Sequence, residues 1–306
     1  MYLLAGVLLL SLTTTDDIKV CQVGYLPNEA KFALVTGEAT GEAIVRRVLD
    51  GRAVLSAKLT TPTSDSSSGD TVRAVDFSAL ATPGIYEIEV PGLGKSFPFR
   101  IGEHIFAHPF RLAMRSFYGQ RCGTSVNMSP DFPEYRYEAC HLAPAQFHPS
   151  SGKDGSKDMH GGWHDAGDFG KYVVNSGITT AQLLWAYELN EKKLKDLNLD
   201  IPESGSGTPD MLSETRWNLE WMLRMQDEDG GAWHKETTAN FPGMVMPQDD
   251  KQPTLIIGNG SPPYKVTTAT ADLTAVAAIA ARLYPKFDKA FAERCRKAAE
   301  KGWQWL

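Results

Sequence analysis

The sequence predicts two units of different class: an all-β sandwich of immunoglobulin type over residues 17–102, then an all-α unit over residues 103–306. Three observations carry this. Short alternating apolar runs separated by turn residues fill the stretch from Asp17 to Ile101. At Gly102 the period changes, and Phe106, Phe110, Met114 and Phe117 recur at helical spacing. A chain of 306 residues that is 42% hydrophobic and 22% charged has a globular composition, and its length suits about two domains.

Residues 1–16 read as a secretory signal peptide. Tyr2 to Leu12 is apolar but too short to span a bilayer, and Thr13 to Thr15 follow as a small polar run. The first basic side chain is Lys19, so the usual cationic start is missing, and a mis-assigned start or a buried first strand competes with the leader reading. Export, to the extracellular space or a periplasm, is the expectation.

Seven runs then have strand length: Ile18 to Val23, Phe32 to Thr36, Ala43 to Leu49, Val54 to Leu59, Val72 to Phe77, Ile85 to Val90 and Ser96 to Ile101. Asp50-Gly51 suits a tight hairpin and Pro91 to Gly94 closes another. The Cys–Trp–Cys core marker of immunoglobulin domains is missing. Beyond Gly102, Tyr172 to Asn190, Pro209 to Gln226, Thr267 to Tyr284 and Phe287 to Leu306 read as helices. Thr208-Pro209-Asp210 supplies a hydroxyl N-cap, a first-turn proline and an early carboxylate. The intervening stretches 120–165 and 227–266 read as long irregular insertions of the kind that carry binding sites. Lys and Arg total 31 against 37 Asp and Glu, a dispersed net charge of −6, which argues against nucleic-acid or anionic-membrane partners.

Four groups can carry chemistry. In Gly161 to Tyr172, Asp165 and Asp168 lie three apart among small residues, at what reads as the start of the helix from Lys171. Carboxylates at a helix N-terminus stay ionised, as a general base requires, although ordinary capping draws Asp to the same place. Cys122, Cys140, His141 and His164 make a two-thiolate, two-imidazole set suited to tetrahedral zinc. A Cys122–Cys140 disulfide is the competing reading, and His160 is an alternative fourth ligand. Trp233 and His234, in the Gly-rich run from Asp229 to Lys235, suit a sugar ring through stacking and hydroxyl contacts, or else a buried Trp with a satisfied His. The oxygen-rich loop from Pro202 to Asp210 can hold calcium through Glu203, Asp210 and backbone carbonyls, or be a capped turn.

The segments Val20 to Pro27, Phe117 to Gly123, Ala139 to Leu142, Gly162 to Tyr172, Met211 to Gln226, Gly230 to Lys235 and Phe241 to Asp250 together resemble family 9 glycoside hydrolases, in the subgroup with an N-terminal immunoglobulin-like domain. The resemblance implies an (α/α)6 barrel and hydrolysis of β-1,4-glucans with inversion, on a polysaccharide or oligosaccharide. It implies Asp168 as catalytic base with Asp165 helping to hold the attacking water. Cys122, Cys140, His141 and His164 match the subgroup's structural zinc ligands, and Trp233 and His234 fall on the loop lining the glucan cleft. Cys21 stands where the pattern has Asn, and Ser206 and Ser213 depart from the residues that support calcium. The family's general acid has no counterpart before Leu306, so the chain reads as the first part of a longer enzyme, ending in the fifth of twelve helices. An exo-acting oligosaccharide hydrolase and a non-catalytic, zinc-stabilised carbohydrate-binding protein are the alternatives.

Overall fold

The computed structural model describes residues 13–306, and the leader expectation for residues 1–16 lies mostly outside them. The chain divides after Phe110.

The first unit is built from two antiparallel sheets. One orders Ile18–Lys19, Phe32–Val35, Thr71–Asp76 and Thr63–Ser64; the other orders Ala53–Lys58, Glu42–Arg47, Gly84–Val90 and Gly94–Lys95, with Phe99–Ile101 also on Gly84–Val90. Alternation does what it promised: Ala33, Val35, Val45, Val75, Tyr86, Ile88 and Val90 point inward and are buried. In place of a disulfide and Trp, Tyr25, Phe77 and Phe99 fill the centre, with ring centroids 5.0 to 5.4 Å apart. Asp50-Gly51 does turn a hairpin. Gly51 adopts φ 67° and its N–H bonds Arg47 O, while the Asp50 carboxylate accepts from Arg52 N–H.

The second unit holds helices α1 (Ala107–Tyr118, which begins just ahead of the division), α2 (Val173–Leu194), α3 (Asp210–Arg224), α4 (Thr267–Leu283) and α5 (Lys289–Trp305). α2 packs against α3 and α4, and α4 against α5. Asp288 caps α5 by accepting from Phe291 N–H at 2.9 Å. The expected Thr208 cap of α3 is absent; Pro209 holds the cap position, and the Asp210 carboxylate accepts from Leu199 N–H and the Ser204 hydroxyl instead.

The two insertions are mostly irregular, but short segments of both, with Lys171–Tyr172 between them in the chain, pair into one mixed five-stranded sheet. Its order is Ser156–Lys157, Ala145–Phe147, Thr254–Ile257, Lys235–Thr238, Lys171–Tyr172. Ala145–Phe147 runs parallel to Thr254–Ile257, and the other pairs are antiparallel. At the edge Lys171 pairs with Glu236 and Tyr172 with Lys235. That register sets the Asp165–Asp168 string beside the Trp233–His234 loop.

Candidate active site and metal centre

Residues 120–122 and 162–164 face each other across a short antiparallel bridge. Cys122 N–H donates to Gly162 O at 2.9 Å and His164 N–H to Gln120 O at 2.8 Å. Cys122 and His164 are thereby brought together, and Cys140-His141 enters from the intervening loop. The ligand atoms of Cys122, Cys140, His141 and His164 all lie within 4.8 Å of one another, and among the described residues no other group of three or more His, Cys, Asp or Glu side chains meets the same condition. Both cysteines are free thiols in this structure, the state that a metal ligand needs.

The donor set fits zinc. Hydrogen bonding from Cys122 holds the Cys140 thiol down to about 7 against burial, while the same bond pushes Cys122 up. Two soft sulfur donors beside two imidazoles are a set that selects zinc over calcium or magnesium. His141 Nδ1 is buried without a hydrogen-bond partner, and its Nε2 faces Asp250 Oδ2 at 3.5 Å. One ring nitrogen is free for a metal while the other meets a carboxylate, the usual arrangement of a ligating imidazole. His160 is excluded from the group, because it is half exposed and bound to Asp158 at 2.7 Å.

A buried ion pair supports both ligand strands. Arg121, next to Cys122, meets Glu214 of α3 at 2.9 Å, and both side chains are almost wholly buried. Glu214 also accepts from the Trp163 indole at 2.8 Å, next to His164. Burial pushes the Glu214 carboxyl up and outweighs the pull of Arg121, so the pair is a costly one whose use is placement. Gly162 is equally constrained: at φ 79° a Cβ would come within 2.8 Å of Trp221 Cγ. Gly162→Ala is expected to lower stability by about 1–3 kcal/mol, read by urea denaturation; an unchanged midpoint would show that the ligand strand yields easily.

The aspartates do not open a helix. Asp165 to Gly170 form a turn closed by Asp165 N–H to Gly170 O at 2.9 Å, Lys171–Tyr172 is a strand, and α2 begins at Val173 with no acid in its first turn. Helix charge is therefore not what holds these carboxylates. Asp168 Oδ2 accepts from the Tyr172 hydroxyl at 2.6 Å and Oδ1 from Gly170 N–H at 3.1 Å. The Asp168 bond, with burial, pushes the Tyr172 phenol up to about 12, so Tyr172 remains the donor. Asp165 is exposed and accepts from Asn175 Nδ2 at 2.8 Å. Phe169 sits at φ 53° with its ring 5.2 Å from that of His164 and 6.1 Å from that of His141, so the metal group backs directly onto the Asp168 turn.

Asp168 and Tyr172 line a cleft of about 560 Å³ together with His148, Lys235, Asn240 and Phe241. His234 lies alongside, its ring 6.3 Å from that of Tyr172; burial and Lys235 push its imidazole down, toward the neutral form. Trp233 points the other way. It is 1% exposed, donates to Ser151 O and is surrounded by Lys153, Lys157 and Lys265, so it offers no face to a sugar. In the loop read as a calcium site the carboxylates already have protein partners. Both oxygens of Glu203 pair with Arg121, and Asp210 serves Leu199 and Ser204. Sequence reasoning missed Tyr172, Asp250 and Glu214 as working residues, although each lies in a string that carried the family resemblance.

Residues 106–306 match the model for glycosyl hydrolase family 9, and residues 13–95 match the cellulase N-terminal ig-like domain. Endoglucanase D of Acetivibrio thermocellus is 35% identical over 291 residues, covering 94% of this chain and 45% of that protein. A xyloglucan-specific endo-β-1,4-glucanase of Bacteroides ovatus is 34% identical over 304 residues, covering 96% and 50%. Among solved structures, a Bacteroides ovatus family 9 protein superposes with a TM-score of 0.87 at 34% identity, covering 95% of this chain and 53% of that one. A zinc-binding triple mutant of the family 9 endoglucanase J30 gives 0.83 at 34% identity, covering 92% and 52%. The chain spans about half the length of the relatives it matches. With the family match running through the whole helical unit and the immunoglobulin-like match ahead of it, the chain belongs to glycosyl hydrolase family 9.

Proposed function

We propose that the complete enzyme is an exported hydrolase of β-1,4-linked glucans that acts with inversion, and that this chain supplies its general base. The observation that carries the reading is Asp168, held at the cleft by Tyr172 and Gly170 with its carboxylate open to a water. Asp165, from the same turn, helps to position that water. An inverting glycosidase sets its acid roughly 6.5–9.5 Å from its base, on the far side of the scissile bond. Asp168 is the one carboxylate among the described residues lining the cleft, which supports an acid supplied from beyond residue 306. His234, Asn240 and Phe241 are assigned to the sugar. The substrate class follows the relatives, whose names specify endoglucanase and xyloglucan-specific endo-β-1,4-glucanase activities. The helices are assigned to the first part of an (α/α)6 barrel. Support comes from the exposed α2 residues Ile178, Trp185 and Leu189, which share one face of that helix and suit cover by further hairpins.

The test is the anomer first released from a cello-oligosaccharide by the complete enzyme, followed by NMR. The α-anomer is expected, and an initial β-anomer would overturn the mechanism. The 306-residue chain alone is expected to release no reducing sugar from soluble cellulose derivatives; clear turnover would show that an acid exists among its residues.

Cys122, Cys140, His141 and His164 are assigned one zinc per chain, which would cross-link three separate segments. Metal analysis of the purified chain is expected to return one equivalent, with a drop in melting temperature on chelation. A metal-free protein with Cys122 bonded to Cys140 would overturn the assignment.

A further inference from the structure

We infer that Asp250 couples the metal centre to the wall of the cleft that holds Asp168, so that an occupied metal site fixes the segment 239–252 as well as the strands that supply the ligands. The inference rests on the zinc reading above. Its geometric basis is a continuous polar chain. His141 Nδ1 is buried and unpartnered, while Nε2 faces Asp250 Oδ2 at 3.5 Å; with a metal on Nδ1, the proton sits on Nε2 and is donated to that carboxylate. The other oxygen of Asp250 accepts from Gln252 N–H at 3.1 Å and from Gln252 Nε2 at 3.2 Å. Gln252 Nε2 also donates to Asn240 O at 3.1 Å, a carbonyl that accepts from the Thr238 hydroxyl as well. Asn240 lines the cleft beside Asp168.

The segment needs such a tie. The pairing of Lys235–Thr238 with Thr254–Ile257 ends at Thr238 and Thr254, leaving residues 239–253 as the hairpin connection. Of its apolar side chains Phe241, Met244 and Val245 are exposed, while Met246 is half-buried against the core and Pro247 is buried; Asp250 is 7% exposed and faces the metal group. The stretch 239–245, whose large apolar side chains are exposed, opens locally unless polar contacts hold it. Were Asp250 only a cap for Gln252, its loss would free the loop and leave the metal untouched. A carboxylate behind a ligating imidazole instead raises metal retention, typically by about 10–100-fold.

The experiment uses the 306-residue chain, its zinc content measured first. Two quantities are read: the rate of zinc release to a chromophoric chelator, and amide hydrogen exchange over 239–252. Asp250→Ala is expected to release zinc about 10–100-fold faster and to accelerate exchange in that segment while α4 is unchanged. Zinc removal from the wild-type chain is expected to reproduce the same local acceleration. Gln252→Ala should loosen residues 239–242 with zinc release unchanged, which separates the two halves of the chain. If Asp250→Ala does not fold, Asp250→Asn keeps the shape without the charge and should still release zinc faster. Wild-type release from the Asp250 variant that folds overturns the inference, as does exchange that stays unchanged, or rises equally in α4, when zinc is stripped. A wild-type chain that takes up no zinc overturns the metal reading, and this inference with it; zinc uptake that is indifferent to Asp250 overturns this inference alone.

Discussion

Replacing Asp168 by Ala or Asn in the complete enzyme is expected to lower kcat by about 10²–10⁴ with little change in KM, because general-base assistance is lost while the cleft wall stays intact. Azide should restore part of the turnover of Asp168→Ala by standing in for the activated water, and its product should carry the inverted configuration. The Asn variant keeps the side chain's shape, with its one carbonyl oxygen able to accept from Gly170 N–H while its NH2 faces the Tyr172 hydroxyl, which can turn to accept, so folding is preserved and the loss reads chemistry. Asp165→Ala should cost less, by a positioning loss of a few kcal/mol at most. Near-wild-type kcat in Asp168→Asn would move the base elsewhere.

Glu214→Ala is expected to destabilise the second unit by about 3–5 kcal/mol in urea denaturation, the usual cost of leaving one member of a buried ion pair alone. The orphaned group is Arg121, which is 1% exposed; Glu203 remains as a partner for one edge of its guanidinium but is itself partly exposed. The Trp163 indole N–H loses its acceptor as well. Because Arg121 and Trp163 adjoin Cys122 and His164, zinc content should fall with stability. A loss under about 1 kcal/mol would mean that Glu203 takes over the whole guanidinium.

The sandwich was legible because its strands alternate and half of each faces the core, so period 2 survives in Ala33, Val35 and in Tyr86, Ile88, Val90. The helices were legible for the parallel reason. The second sheet was not, since its strands are two to four residues long and carry no period. Their pairing partners lie far along the chain, and only tertiary contact makes them strands. The same blindness placed Asp165 and Asp168 on a helix, because Lys171–Tyr172 is too short to register between them and α2. Trp233 failed for another reason. A Trp on a Gly-rich loop reads alike whether its ring faces a sugar or three lysines, and only burial separates the two. That Cys122, Cys140, His141 and His164 would come together was legible because side-chain chemistry restricts such a set so sharply. Asp250 was not, since a carboxylate acting through another residue has no spacing rule.

The parallel pairing of Gln146 with Leu255 has a consequence for the order in which the molecule assembles. Contacts between distant segments form late, and during synthesis they must wait for the second partner to be made. Cys122, Cys140, His141 and His164 are all available once residue 164 has emerged, long before Thr254–Ile257 exists to complete the sheet. On the zinc reading, the four side chains can therefore meet while the cleft is still unbuilt, with the loop ending at Asp250 joining afterwards. Nascent chains stalled between residues 164 and 254 are then the species in which the thiols of Cys122 and Cys140 face the surrounding redox conditions before that loop is in place.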